Sequence, residues 1–111
     1  MKRTAAIAGG GIAGFVAGLA LAQKGWRVRI HEGDSRLRMV DEAVYVWENG
    51  LRVLAALGTL APVIADGIRI VRHDRRDFRG KKLSSSRFDD NCRLYGCLRE
   101  NLLATLYHAF V

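Results

Sequence analysis

Three glycines and one acid carry the most chemistry in this chain. Gly9, Gly11 and Gly14 spell G-x-G-x-x-G, and Glu32 follows 18 residues after Gly14. At that spacing Gly9 allows a tight turn, and Gly11, lacking a Cβ, lets a pyrophosphate approach the backbone. Gly14 lets a helix pack closely on a strand. A helix opening there offers unpaired N–H groups and its dipole to phosphate. Glu32 would accept hydrogen bonds from a ribose diol. Its charge would repel a 2′-phosphate, so the expected ligand is an FAD- or NAD-type adenosine rather than NADP. Three arginines join the candidates. Arg36 and Arg38 lie in the polar stretch Gly33 to Asp41, GDSRLRMVD. It is either a solvated loop or one from which a guanidinium fork reaches back to phosphates. Arg99 opens an amphipathic run, where a cation is unfavourable unless an anion lies near it. A nucleotide phosphate or the neighbouring Glu100 would serve. His31, His73 and His108 form no cluster, and no residue reads as a catalytic acid, base or nucleophile. Cys92 and Cys97 lack the second half of a zinc site, so no metal is expected; both thiols should be free, with a local disulfide as the alternative.

The elements that must position these residues read clearly. Met1 to Ala8 is a strand with an apolar end, Ile12 to Lys24 is a helical run, and Gly25 is placed to end it. Trp26, Val28 and Ile30 alternate with Arg27, Arg29 and His31, which is strand periodicity. Strand, glycine turn, helix, strand and acid are the full context of a dinucleotide fingerprint, so the fold class is α/β with a Rossmann-like βαβ core. The Ile12 to Lys24 helix is apolar almost all round and should be covered on most faces. Two competing readings are a signal peptide, from Met1-Lys2-Arg3 and Ala20-Leu21-Ala22, and a membrane span. The glycines between Gly9 and Gly18 are poor for either.

Further along, Ala43 to Trp47 predicts a short strand, and Glu48 and Asn49 open a helix whose natural stop is Gly58. Leu60 to Ala65 adds one or two turns, with the lone proline, Pro62, placed between helical runs. Ile68 to Asp74, IRIVRHD, reads as one strand; Gly80 is a hairpin turn and Lys82 to Ser86 the return strand. Arg93 to Cys97 is another short strand. Glu100 to Phe110 is a helix with Leu102, Leu103, Leu106 and Phe110 on one side.

The 111 residues suit one small domain, 1–111. The net charge of +7 favours anionic ligands. From Asp66 to Asp90, eight basic residues are interleaved with five acidic ones. Without aromatic spacing, that reads as a solvated hairpin rather than a nucleic-acid footprint, and no nucleic-acid partner is expected. Two cysteines fit a reducing cytoplasm.

With its elements in order, the chain resembles the N-terminal part of the class A FAD-dependent monooxygenases. These are the aromatic-ring hydroxylases related to para-hydroxybenzoate hydroxylase and salicylate hydroxylase. GGGIAGFVAGLALAQKGWRVRIHE resembles their opening fingerprint, and ENGLRVLAALGTL the helix after their flavin loop. GIRIVRHDRRDFRGKKL resembles their edge hairpin, and CLRENLLATL the R-x-x-L-x-x-x-L helix that follows. The resemblance implies that Gly9, Gly11, Ile12, Ala13 and Gly14 hold the FAD pyrophosphate by backbone and that Glu32 binds the adenosine ribose. It implies Arg38, with Arg36 as the slipped alternative, as a cofactor contact, and Arg99 as a contact to the flavin's phosphate and ribityl region. Where the family has G-A-G-I near the isoalloxazine, this chain has Asp41, Glu42, Ala43 and Val44. The family's later D-G and G-D-A-A-H-x-x-x-P motifs are not present.

The resemblance therefore implies the FAD-binding portion of an oxidoreductase, incomplete relative to the family fold. Completed, it would hydroxylate a small aromatic substrate with NAD(P)H as transient reductant; alone it should turn over little. Its expected partners are FAD and a completing C-terminal half or a second copy of the chain, in the cytoplasm, without a membrane span. The alternative is a non-catalytic Rossmann-like relic or interaction module, suggested by Asp41-Glu42 and the short length.

Overall fold

The computed structural model describes residues 1–34 and 42–111, and these form seven strands and four helices. Strand β1 (Thr4–Ala8) leads through the glycine turn into α1 (Ile12–Gln23), and β2 (Arg27–His31) returns beside β1. The pair is parallel, with Ile7 opposite Ile30, and Gly9 N–H extends the ladder by donating to the His31 carbonyl at 2.7 Å. Ala5, Ile7, Val28 and Ile30 are the half-buried positions of the pair, and in β2 Val28 and Ile30 alternate with the exposed Arg27, Arg29 and His31.

Strand β3 (Ala43–Trp47) runs straight into α2 (Glu48–Ala56), followed by α3 (Leu60–Asp66) and β4 (Ile68–Ile70). Pro62 lies inside α3 rather than between helices. At the third position of the first turn its missing N–H removes no intrahelical bond. IRIVRHD is not one strand. It divides at Val71 into β4 and β5 (Arg72–Arg76), which serve different sheets. β5 pairs with β6 (Lys82–Arg87) as an antiparallel hairpin that turns through Gly80. β4 pairs instead with β7 (Leu94–Leu98), the centre of an antiparallel sheet ordered β3-β7-β4. At the divide Val71 is 59% exposed, and its carbonyl accepts from Phe88 N–H at the open end of the β5–β6 hairpin.

The last helix, α4 (Arg99–Phe110), closes the fold. Leu102, Leu103 and Leu106 are buried along it against Phe15 and Leu19 of α1, Leu54 of α2, Val63 of α3 and Cys97 of β7. One core thus joins the parallel pair to the antiparallel sheet through α4. Helix α1 is less covered than its uniform apolarity predicts. Phe15, Gly18 and Leu19 are buried, while Ala13, Ala17 and Ala20 form an exposed stripe. Alanine loses little by facing water, so that face is left smooth rather than sealed.

Candidate nucleotide site at the glycine turn

The turn between β1 and α1 is built by backbone geometry. Gly9 adopts φ +112°, a conformation L side chains rarely take, and this lets the chain leave β1 sharply. Gly11 is the N-cap of α1. It has no side-chain oxygen, so it caps none of the first N–H groups. Gly14 sits one turn into the helix, and a Cβ there would collide with the Gly9 carbonyl oxygen. Its absence is what lets α1 start directly above the strand end, as the spacing predicts.

Gly11 differs in kind. Its backbone, φ −89° and ψ −169°, suits any residue. Among the described residues, a Cβ there would meet a single atom, a guanidinium nitrogen of Arg99 at 4.0 Å. The fold does not need glycine at position 11; it leaves open space above that backbone, with a cation at its edge.

Arg99 reaches this place from the first residue of α4, with its N–H donating to the Glu42 carbonyl at 2.8 Å. Its side chain is half-buried, and no carboxylate among the described residues lies within ion-pairing distance. Glu100, the neighbour that could have neutralised it, does not pair with it. A half-buried cation beside the N-terminus of α1 makes a local positive field suited to phosphate.

Glu32 follows β2 and lies across the turn from Gly11. Its Oε2 accepts from Gly10 N–H at 2.6 Å, and its Oε1 accepts from Gly33 N–H at 2.8 Å and Asp34 N–H at 3.4 Å. The carboxylate is thus held at the turn by backbone donors. The motif spacing did not single out Gly10, whose N–H binds this acid; its only signal was a third adjacent glycine. A Cβ at Gly10 would crowd Glu32 Cβ and Oε2, both at 3.1 Å.

The structure brings Gly9, Gly11, Ile12, Ala13, Gly14, Glu32 and Arg99 together around one turn. Arg36, Arg38 and Asp41 lie outside the described residues. An apolar groove of about 340 Å³ opens beside the first turn of α1, lined by Ile12, Val16, Val44, Tyr45, Val53 and Leu102 among others.

One charged cluster escaped the sequence reading because its members are far apart in the chain. Glu48, at the start of α2, accepts from Arg93 Nε at 2.8 Å, from an Arg93 terminal nitrogen at 2.9 Å and from Arg93 N–H at 3.0 Å; Arg52 adds a contact at 3.3 Å. These bonds, Arg93's side chain foremost, lower the Glu48 pKa to about 2. The pair ties the β3–α2 corner to the entry of β7, away from the glycine turn.

Both cysteines are free; Cys92 is exposed, and burial raises the Cys97 thiol pKa. No group of three metal-ligating side chains occurs among the described residues, and none of their helices is long and apolar enough to cross a membrane.

No family model matches the chain. It is 38% identical over 109 residues to a 2-heptyl-3-hydroxy-4(1H)-quinolone synthase of Mycobacteroides abscessus, covering 95% of this chain and 28% of that protein. A probable enzyme of the same name from Rhodococcus erythropolis is 34% identical over 110 residues, with 97% and 29% covered. Among solved structures, 2-methyl-3-hydroxypyridine-5-carboxylic acid oxygenase, in a tetrameric form, superposes with a TM-score of 0.90 at 36% identity over 98% of this chain and 29% of its own. Klebsiella pneumoniae HpxO, solved with FAD and uric acid, superposes at 0.86 with 25% identity, over 98% and 29%. The chain thus spans between a quarter and a third of the length of the proteins it matches. In sequence, element order and fold it corresponds to the N-terminal part of the class A FAD-dependent monooxygenases.

Proposed function

We propose that this chain is the FAD-binding portion of a flavin-dependent monooxygenase. The observation that carries the proposal is the pairing of Gly11 and Arg99: backbone left open where the fold needs no glycine, beside a half-buried cation with no acid partner among the described residues. The main-chain N–H groups of the turn from Gly9 to Gly14 would bind the pyrophosphate, and Arg99 would neutralise its charge. Arg38 is proposed as a second cation at the cofactor. Glu32, already oriented by the Gly10 N–H, would accept from the adenosine ribose and exclude a 2′-phosphate. When bound and reduced by NAD(P)H, FAD supplies the oxygen chemistry in such enzymes, and the protein supplies position. With the remaining length of its relatives, the whole would hydroxylate a small aromatic substrate; the quinolone and hydroxypyridine names of those relatives support that class. No residue of this chain is proposed as a catalytic acid or base, so the chain alone should turn over little. Two free thiols support a cytoplasmic setting.

A second reading, a Rossmann-like module without cofactor, is favoured by one feature. Glu32 satisfies three backbone donors without any ligand. Titration of the purified chain with FAD, followed by flavin fluorescence with NAD in parallel, separates the two. Saturable FAD binding that is lost in Glu32→Ala and in Gly11→Val is expected. Folded protein that binds neither nucleotide would refute the cofactor assignment.

A further inference from the structure

We propose that Gly18 and Phe110 are positioning residues for the phosphate site: they set how closely α4 lies against α1, and thereby hold the Arg99 guanidinium over Gly11. The inference rests on the nucleotide reading above and goes past it, to residues outside the glycine motif.

Gly18 is buried in the middle of α1, where a Cβ would come within 3.0 Å of Ile30 Cδ1 and 3.1 Å of Phe110 Cε2. Both distances are tighter than ordinary van der Waals contact, so the lack of a side chain there is what lets the end of α4 approach. One turn earlier, Phe15 packs edge-to-face against two rings of α4. Its centroid is 5.8 Å from Tyr107 at 86° and 5.8 Å from Phe110 at 68°. Edge-to-face pairs have a preferred geometry, so they fix orientation as well as contact. Between these rings and Arg99, the buried Leu102, Leu103 and Leu106 continue the same seam.

Arg99 begins the helix that Phe110 ends. At about 1.5 Å of rise per residue, the two lie roughly 16 Å apart on one stiff rod. Arg99 has no carboxylate partner among the described residues to fix its side chain, so its reach to Gly11 is set by where α4 starts. The start of α4 is tethered where the Arg99 N–H donates to the Glu42 carbonyl, and packing at Gly18 sets the tilt of α4 about that tether, and with it the distance between the N-terminus of α1 and the cation of α4.

The test is a cycle of FAD titrations on the full chain, with thermal melts without FAD as a check on folding. Arg99→Ala should weaken FAD roughly tenfold to a hundredfold, the range of a hydrogen bond to a charged group. Gly18→Val should weaken it to a similar extent in the parent, and no further in Arg99→Ala. Gly18→Ala, the milder change should the valine variant fail to fold, should lose less. Adding Phe110→Leu to Gly18→Ala should restore part of the affinity, since it relieves the contact with Phe110 but leaves that with Ile30. A purely structural role would instead give losses that multiply in Gly18→Val/Arg99→Ala, and that result overturns the inference, as does unchanged affinity in Gly18→Val. If the parent chain binds no FAD, both the nucleotide reading and this inference fall; if it binds and the losses multiply, only the inference does.

Discussion

Replacing Gly14 by alanine and Gly11 by alanine should have opposite consequences, although both glycines belong to one motif. A Cβ at Gly14 collides with the Gly9 carbonyl oxygen, a backbone atom that cannot swing aside, and would also lie 3.5 Å from Ile7 Cγ2. Relief requires α1 to lift from the end of β1. Overpacking a close-packed site costs about 1–3 kcal/mol, and a backbone obstacle belongs at the upper end. Alanine returns about 0.5–1 kcal/mol through its better helix propensity. The net loss is about 2 kcal/mol, which at about 4–8 °C per kcal/mol lowers the melting temperature by roughly 8–16 °C. At Gly11, a Cβ meets only the Arg99 guanidinium at 4.0 Å on an ordinary backbone. The expected loss without ligand is about 0.5–1 kcal/mol, the effect of alanine in place of glycine at an N-cap, and so smaller than at Gly14. The main loss should appear instead in FAD binding, because the added methyl would enter the space proposed for the pyrophosphate. Circular dichroism melts of the two variants and the parent, followed by flavin fluorescence titration, measure both. A Gly14→Ala variant that melts with the parent, or a Gly11→Ala variant that is destabilised as much as Gly14→Ala yet binds FAD normally, would refute the reasoning.

Glu48 makes stability depend on acid. Its folded pKa, lowered to about 2 from 4.5 by Arg93, means that the pair stabilises the fold above the unfolded value, and that this contribution is lost as pH falls from about 4.5 towards 2. Urea midpoints of the parent should fall more steeply across that window than those of Glu48→Gln; parallel slopes would remove Glu48 from the account. Leu106 has 0% exposure at the centre of α4, so Leu106→Ala should cost about 2–5 kcal/mol in urea denaturation, and a loss under about 1 kcal/mol would show that the core does not centre there. A thiol reagent should modify Cys92 quickly in native protein and Cys97 only after unfolding, since Cys97 is buried with a raised pKa; two fast thiols would contradict that burial.

Local patterns were enough for most elements of this chain. The fingerprint from β1 to Glu32, the strand Ala43–Trp47, the hairpin turn at Gly80 and the final amphipathic helix are all written in periodicity or in glycine placement, which depend on near neighbours alone. Gly14 was legible for the same reason: helix-on-strand contact within one βαβ unit is a local event.

What no stretch of sequence contained was the meeting of distant residues. Arg99 looked like a misplaced cation until α4 was seen to begin beside Gly11, 88 positions earlier, with no carboxylate partner among the described residues. Glu48 looked like a helix-opening acid, yet it binds Arg93 across 45 positions. The division of IRIVRHD depended on which strands were free to pair with each half. Gly18 had no motif to announce it; its role rests on Phe110 arriving from the last turn of the chain. Periodicity records which face of an element is apolar but carries no information on which other element will cover it. That choice was made by the packing of α4 into the core, and it is this packing that places a cation above the open glycine backbone.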